Sequence, residues 1–281
     1  MKKSLRRKLI MSAVAVGAAA VGTTASTYAW FVSNSNVSAN GVQGSVVDAD
    51  ANLYIENGGN YGTSATVTAG GDALKPIAII ANKFVDSNGD QVTGTPYATF
   101  ELKFKATGIA QDKTYALNIS SISAADTAPS KSYTPVADAG TGIKKGTPIS
   151  GDVTESLVLS YYEGESITPT ASNSLALNNT GTTTSSEGKA YYTAVTGKNP
   201  LADCTAITSG FNKDGKNATS DNGFTIKNIS YSDTTDGTLD FTVKFIVWLN
   251  GDDDQCFDVI ASHTWNLSLT FALKDTSSLA A

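Results

Sequence analysis

An antiparallel all-β fold with long polar loops is the fold class that this sequence predicts. Several segments of six or more residues alternate apolar and polar side chains, which is the period of a half-buried strand. Gly, Ser, Thr, Asn and Asp are abundant, charged residues make up only 16% of the chain, and no long stretch shows a helical period. At 281 residues the chain is long enough to bury one large β-domain or two small ones.

The first 29 residues (1–29) are predicted to be a signal peptide. Five basic residues lie between positions 2 and 8, and an apolar run of small residues follows at 9–21. Because Thr27 and Ala29 form a T-x-A processing site, we expect a signal peptidase to cut between Ala29 and Trp30; a cut after Ala25 is less favoured. The alternative is an uncut membrane anchor, since residues 9–29 just reach the length that spans a bilayer, although the threonines in its outer half fit hydrocarbon poorly.

The charge of the exported chain excludes one class of partner. Removal of the leader takes five of the 20 basic residues and none of the 26 acidic ones, which leaves a formal net charge near −11. Nucleic-acid binding depends on Lys and Arg that neutralise phosphates, so no nucleic-acid partner is expected. Membrane contact is expected only through an uncut leader, and the expected location is secreted, extracellular or on the cell surface.

Residues 30–45 are expected to form an extended N-terminal arm in front of a β-sandwich domain that covers residues 46–281. The apolar residues of the arm do not alternate with polar ones, so the pattern does not favour a central strand of its own domain. The apolar positions of the arm are Trp30, Phe31, Val32, Val37 and Val42.

The first half of the domain carries four predicted strands, at residues 46–55, 74–85, 100–106 and 115–119. The second contains Pro76, which cannot donate to a ladder, so we expect it at a sheet edge or starting just after the proline. Asn88-Gly89 follows it and predicts a hairpin turn. The third and fourth strands alternate cleanly and are expected to be neighbours in one sheet. Residues 124–152 lack a sustained period and are predicted to form a long polar surface loop.

The second half carries predicted strands at residues 157–162, 191–195, 239–250 and 265–274. Between the first two, residues 168–188 are nearly all Thr, Ser, Asn and Ala, which predicts an exposed loop. The last two strands alternate most strongly and are expected to form a core hairpin. The first of this pair becomes apolar on both faces towards Trp248, so we expect another part of the chain to cover its far end.

Two cysteines, Cys204 and Cys256, remain in the exported chain. An even pair in an exported protein is typical of a disulfide, which would close a loop of about 50 residues and stabilise the fold by about 4 kcal/mol. Two separate thiols are the alternative.

The connection before the last strand contains four acidic side chains: Asp252, Asp253, Asp254 and Asp258. Calcium prefers six to eight oxygen ligands, so this cluster is a candidate calcium site. The alternative is a solvated acidic turn. No other cofactor is expected.

The sequence lacks the usual catalytic patterns. His263 is the single histidine, which excludes a multi-histidine zinc site, and we expect it on the surface at the start of a strand. Nucleophile-elbow, P-loop and dinucleotide-binding motifs are absent. The sequence therefore predicts a protein without enzymatic activity, and a hydrolase is the least favoured function.

Segments at both ends of the chain carry a family resemblance. They are the leader end T-Y-A-W-F at 27–31, the small polar segment 33–44, the last two strands, and W-L-N-G-D-D-D-Q-C at 248–256. They resemble the camelysin/TasA-type family of exported bacterial proteins, which a SipW-type signal peptidase processes, and the last element resembles surface proteins of Firmicutes. The resemblance covers mainly the first 55 and the last 45 residues. It implies a jelly-roll-like β-sandwich and, for fibre-forming members, polymerisation in which the mature N-terminal segment of one subunit adds as a strand to the next.

Two functions of different classes are expected. The first is a structural protein of the bacterial cell surface or biofilm matrix, whose partner is itself in a homopolymer. An extended peptide from a neighbour can complete a sheet edge, and head-to-tail donation does not close. The alternative is a monomeric surface module that binds carbohydrate or a host protein, with stacking faces at Tyr161, Tyr162, Tyr191 and Tyr192.

Overall fold

The computed structural model describes residues 37–46, 51–57, 59–68, 70–71, 74–86, 89–127, 132–163, 167–177, 187–197, 204–212, 223–253, 255–256, 258–260 and 263–277. The predicted leader, its cleavage site at Ala29 and Trp30, and the arm residues Phe31 and Val32 lie outside these ranges. Within them, no helix combines the length and the hydropathy needed to cross a membrane.

Fourteen β-strands and one α-helix occur in the described part of the chain. The strands are β1 (Val37–Val46), β2 (Asn52–Asn57), β3 (Asn60–Gly62), β4 (Ser64–Thr68), β5 (Gly70–Gly71), β6 (Pro76–Ile80), β7 (Lys83–Val85), β8 (Ala98–Thr107), β9 (Thr114–Asp126), β10 (Leu157–Glu163), β11 (Ser174–Ala176), β12 (Phe224–Ser230), β13 (Leu239–Asn250) and β14 (Trp265–Asp275). The helix, α1, is Glu187–Thr196. The all-β prediction is confirmed, and the strand pairs are antiparallel except for β1 with β14 and β6 with β13.

The strands form two sheets that face each other across a hydrophobic core. The five-stranded sheet has the order β12-β9-β14-β1-β4, and the larger sheet has the order β11-β10-β13-β8-β2-β3 with β5, β6 and β7 attached to it. Aromatic rings from both sheets meet in the core. Phe104 on β8 and Phe245 on β13 both contact Phe271 on β14, with ring centroids 5.0 and 5.9 Å apart.

Two predicted strand pairings are wrong. β8 and β9 were expected to be sheet neighbours, and β13 and β14 were expected to form a hairpin, yet each pair is divided between the two sheets. Alternation shows only that a strand has one buried face. Packing two such faces against each other across the core buries both of them, so each pair satisfies its pattern without sharing hydrogen bonds.

A second apolar cluster lies on the outer face of the larger sheet, at one end of β13. The ring of Trp248 packs there with that of Phe84 at a centroid distance of 5.3 Å, and its Nε1–H donates to Ser160 Oγ at 2.9 Å. β6 pairs with the end of β13 through Pro76 and Ile77, and β7 folds back along β6. The prediction that another segment covers this end of the strand is confirmed.

The first predicted loop, 124–152, is more ordered than expected. β9 extends through Asp126, and the backbones of Tyr133 and Ile149 exchange two hydrogen bonds of 2.8 and 2.9 Å. Ala139 and Ile143 are 7% and 4% exposed and belong to the core. The few apolar residues of this polar segment are therefore anchors that hold it against the sheets.

The second predicted loop, 168–188, also contributes to the fold where the structure describes it. Its central residues form β11, which pairs with β10, and Leu175 and Leu177 are buried. The strand predicted at 191–195 is wrong, because these residues belong to α1. Tyr191 is buried, and its hydroxyl lies 2.6 Å from that of Tyr133, so the helix packs on the ordered segment described above.

Candidate functional site

β1 covers most of the segment predicted to be an arm. It lies inside the five-stranded sheet, between β4 and β14. It runs parallel to β14, with Val37 opposite Trp265, and antiparallel to β4, with Ala39 opposite Val67. The predicted boundary between arm and domain at residues 45 and 46 is therefore wrong, because residues 37–46 are one strand of the chain's own sheet.

A register shift explains why β1 shows no alternation. The pairings with both neighbours slip by one residue between Ala39 and Gln43, around Asn40-Gly41. Val37 and Val42 are five residues apart, an odd spacing that a regular strand would place on opposite faces. A bulge inserts one residue and resets the two-residue period, so a search for alternation misses the strand.

The second half of β1 packs closely on β2. Val42 has 0% exposed surface, and a Cβ added at Gly44 would lie 3.5 Å from Ile55 Cδ1 and 3.6 Å from Leu53 Cδ2. The Gly44 N–H donates to the Thr63 carbonyl at 2.7 Å. The slot that β1 fills is therefore lined by two hydrogen-bonding strands and by apolar side chains of the other sheet.

The order of the strands leaves β1 without a sequence neighbour in its sheet. β14 comes from the other end of the chain, and β4 follows only after β2 and β3. Cleavage after Ala29 would leave β1 tethered to the domain at its C-terminal end alone. A strand held in this way can be exchanged for the same strand of a second copy with all of its pairings preserved.

The predicted calcium ligands do not form a recognisable metal centre where the structure describes them. Asp254 lies outside the described residues, and those that are described contain no group of three acidic, His or Cys side chains suited to a metal. Asp253 Oδ1 accepts the Gln255 N–H at 2.8 Å and the Ser156 hydroxyl at 3.3 Å, so this carboxylate organises the turn. Calcium binding by Asp252, Asp253, Asp254 and Asp258 stays a prediction, which thermal melts with and without a chelator would test.

The predicted disulfide is not present, because Cys204 and Cys256 are both thiols. Cys256 belongs to the core between the sheets. The segment after Cys204 instead follows the outer face of the larger sheet, where the Thr205 N–H donates to the Ile79 carbonyl at 2.7 Å and Ile207 packs on the second cluster. Burial raises the pKa of the Cys256 thiol well above its usual range, which keeps it protonated.

His263 is buried rather than exposed, which corrects the prediction. Its Nδ1 lies 2.5 Å from Asp126 Oδ2, and the two side chains are 0% and 3% exposed. The same oxygen accepts the Val153 N–H at 3.2 Å. The pair therefore ties the end of β9 and the start of β14 to the turn before β10. The two residues are 137 positions apart, so no local sequence pattern predicts their contact.

Two of the four tyrosines predicted to stack on carbohydrate are buried, which removes them from that role. Tyr162 and Tyr191 are 5% and 1% exposed, and Tyr161 is half-buried. Burial raises the pKa of Tyr162 to about 12. The side chain of Tyr192 lies outside the described part. The predicted stacking faces are therefore wrong for Tyr162 and Tyr191.

Comparison of the chain with protein-family models, with curated proteins and with solved structures finds no match. The function proposed for this chain consequently rests on its own residues, and above all on the position of β1.

Proposed function

We propose that this chain is an exported structural protein of the bacterial cell surface or biofilm matrix, and that copies of it assemble by exchanging the N-terminal strand. The observation that carries the proposal is the position of β1 between β4 and β14. A strand near the N-terminus that fills a slot between two others is the part of a fold most readily given to a neighbour.

The physical basis of exchange is that the contacts inside the slot are the same for either copy of the strand. Departure of β1 exposes the facing edges of β4 and β14 together with the apolar side chains Leu53 and Ile55. Unpaired sheet edges recruit extended peptides, so an empty slot binds the strand of another copy. Because the contacts are the same in both forms, protein concentration determines whether the slot holds the chain's own strand or the strand of another copy.

The geometry of donation sets the form of the assembly. If each copy gives its strand to the next and receives one from the copy before, the contact is head-to-tail and produces filaments, whereas reciprocal exchange closes a dimer. Trp30, Phe31 and Val32 would move with the strand, since they precede it after cleavage at Ala29. The proposal includes this cleavage by a signal peptidase and a jelly-roll-like arrangement of the two sheets.

The test compares the mature chain, residues 30–281, with a variant that lacks residues 30–46. Electron microscopy of negatively stained samples and analytical ultracentrifugation should show filaments for the mature chain at high concentration and none for the shortened one. A synthetic peptide of residues 30–46 should bind the shortened chain and raise its melting temperature. The same peptide with Val42 replaced by Asp is the matched control and should not.

Two results would contradict the proposal. One is a mature chain that remains monomeric at every concentration tested. The other is a shortened chain that assembles as well as the mature one. N-terminal sequencing of the secreted protein would separately show whether Trp30 is the first residue or whether the leader is retained as an anchor.

A further inference from the structure

A surface cleft lies beside β6 and β7, away from the slot of β1. It has a volume of about 210 Å³ and is bounded by residues 75–77 on one side, by residues 91–93, 95 and 96 on the other, and by Asp86 at one end. Pro76 lies on one wall and Pro96 on the other. The sequence alone does not indicate that these two walls meet.

Hydrogen bonds of the backbone hold the walls of the cleft in place. The Lys75 N–H donates to the Pro96 carbonyl at 3.1 Å, and the Val92 N–H donates to the Phe84 carbonyl at 2.9 Å. The hairpin turn is closed by the Asp86 N–H, which donates to the Asp90 carbonyl at 2.9 Å. A ligand therefore meets a cleft that is already formed and does not have to order it.

The floor of the cleft is apolar and rests on the second apolar cluster. Ile77 is 1% exposed and lies beneath the cleft, while Pro76 and Val92 are half-buried and line it. Ile77 belongs to the same cluster as Phe84 and Trp248, whose rings meet at 5.3 Å. The floor is thus fixed by aromatic packing, and Pro76 and Val92 above it offer a small hydrocarbon surface to a ligand.

The rim of the cleft is polar and carries several kinds of hydrogen-bonding group. Lys75, Gln91 and Thr93 are exposed there and contribute an ammonium group, an amide and a hydroxyl, while Asp86 contributes a carboxylate. An amide both donates and accepts, and a hydroxyl does the same, so this rim matches a ligand with several hydroxyl groups. With one cationic and one anionic side chain, the walls do not suit a polyanion such as a nucleotide.

The size of the cleft limits the ligand to a single ring. Pockets for drug-sized molecules measure roughly 300–1,000 Å³, which is larger than the 210 Å³ found here. The geometry points to a site for one pyranose residue, either a monosaccharide or the exposed end of a saccharide chain. Its C–H face lies on Pro76 and Val92, and its hydroxyl groups bond to Gln91, Thr93 and Lys75.

Saturation-transfer NMR of the mature chain with a panel of neutral and N-acetylated monosaccharides tests this assignment. At least one sugar should give a saturable response with a Kd on the order of 1 mM, as expected for a ligand of this size. Gln91→Ala and Thr93→Val should each weaken its binding about tenfold, because each removes hydrogen bonds to the sugar. Gln111→Ala and Thr134→Val change exposed residues of the same types elsewhere and should leave the Kd unchanged.

The assignment is overturned if no sugar responds, or if the cleft variants bind as tightly as the unaltered chain while their melting temperatures match it. A response to amino acids in place of sugars would equally overturn it, since the opposite charges of Lys75 and Asp86 would then be the recognising groups. These readouts do not depend on filament formation, so they stand apart from the test of strand exchange.

Discussion

Replacing Val42 by alanine measures how firmly β1 is held in its own sheet. Val42 has 0% exposed surface, so the substitution removes two fully buried carbon groups. Loss of their transfer free energy costs about 1.6 kcal/mol, at about 0.8 kcal/mol for each group. The cavity that remains adds to this cost, and we expect the free energy of unfolding to fall by about 2–3 kcal/mol.

Urea unfolding of the dilute mature chain, followed by tryptophan fluorescence, provides the measurement. With a slope of about 3 kcal/mol per molar for a chain of this size, the expected loss lowers the midpoint by about 0.7–1 M. Gln43→Ala is the control, because Gln43 is exposed on the same strand and its loss should cost under about 0.5 kcal/mol. Equal midpoints for the two variants would show that β1 does not occupy the slot. A midpoint that rises with protein concentration would show that the strand comes from another copy.

Three further predictions concern the remainder of the fold. Ser160→Ala removes the acceptor of the Trp248 Nε1–H, a buried hydrogen bond of 2.9 Å. Urea titration should show that the free energy of unfolding falls by about 1–3 kcal/mol. Ser123→Ala at an exposed position is the control and should change this free energy little. Gly223→Ala should lower the free energy of unfolding by about 2–4 kcal/mol, because Gly223 has a φ of +75° and an added Cβ would overlap the Ile119 carbonyl. Gly44→Ala is the control and should be nearly neutral, since the added Cβ would make ordinary contacts there. Similar losses of stability for both variants would contradict this reasoning. Burial raises the pKa of Tyr162 to about 12, so its contribution to stability should be complete below pH 10 and should decline by up to about 2.7 kcal/mol as the pH rises from 10 to 12. A Tyr162→Phe variant whose free energy of unfolding falls by the same amount over this range would refute the prediction.

The strand positions that alternation predicted agree closely with the structure. The segment predicted at 239–250 is β13, and the segments predicted at 157–162 and 265–274 differ from β10 and β14 by one residue at one end. A period of two residues reports only that a segment is extended with one covered face. That property is local, so the chain displays it without reference to its neighbours.

α1 illustrates a local signal that was present but outweighed. Tyr191, Tyr192 and Val195 have the composition of a strand, yet the segment is helical from Glu187 to Thr196. Gly197, with a φ of +70° and an N–H that donates to the Thr193 carbonyl at 2.8 Å, ends the helix in the left-handed conformation typical of such caps. The contact of Tyr191 with Tyr133 supplies the packing that favours the helix, and sequence position gives no hint of it.

The features of the candidate functional sites also divide into those that the sequence indicated and those that only the tertiary structure shows. The sequence indicated that the region around Val37 and Val42 is extended and unlike the other strands, but the bulge at Asn40-Gly41 concealed that it is a strand of the sheet. It contained no sign of the cleft beside β6 or of the buried contact between Asp126 and His263. Each of these depends on residues that are brought together from distant parts of the chain.

By itself, the sequence determined the all-β class, most strand positions and the acidic character of the chain, because each depends on composition or on a short period. Only the tertiary structure decided which strands share a sheet, that β1 lies between β4 and β14, and that Cys204 and Cys256 are thiols. The physical reason is that apolar faces of similar pattern can pair in many ways. The choice among these ways is made by the packing of the whole core.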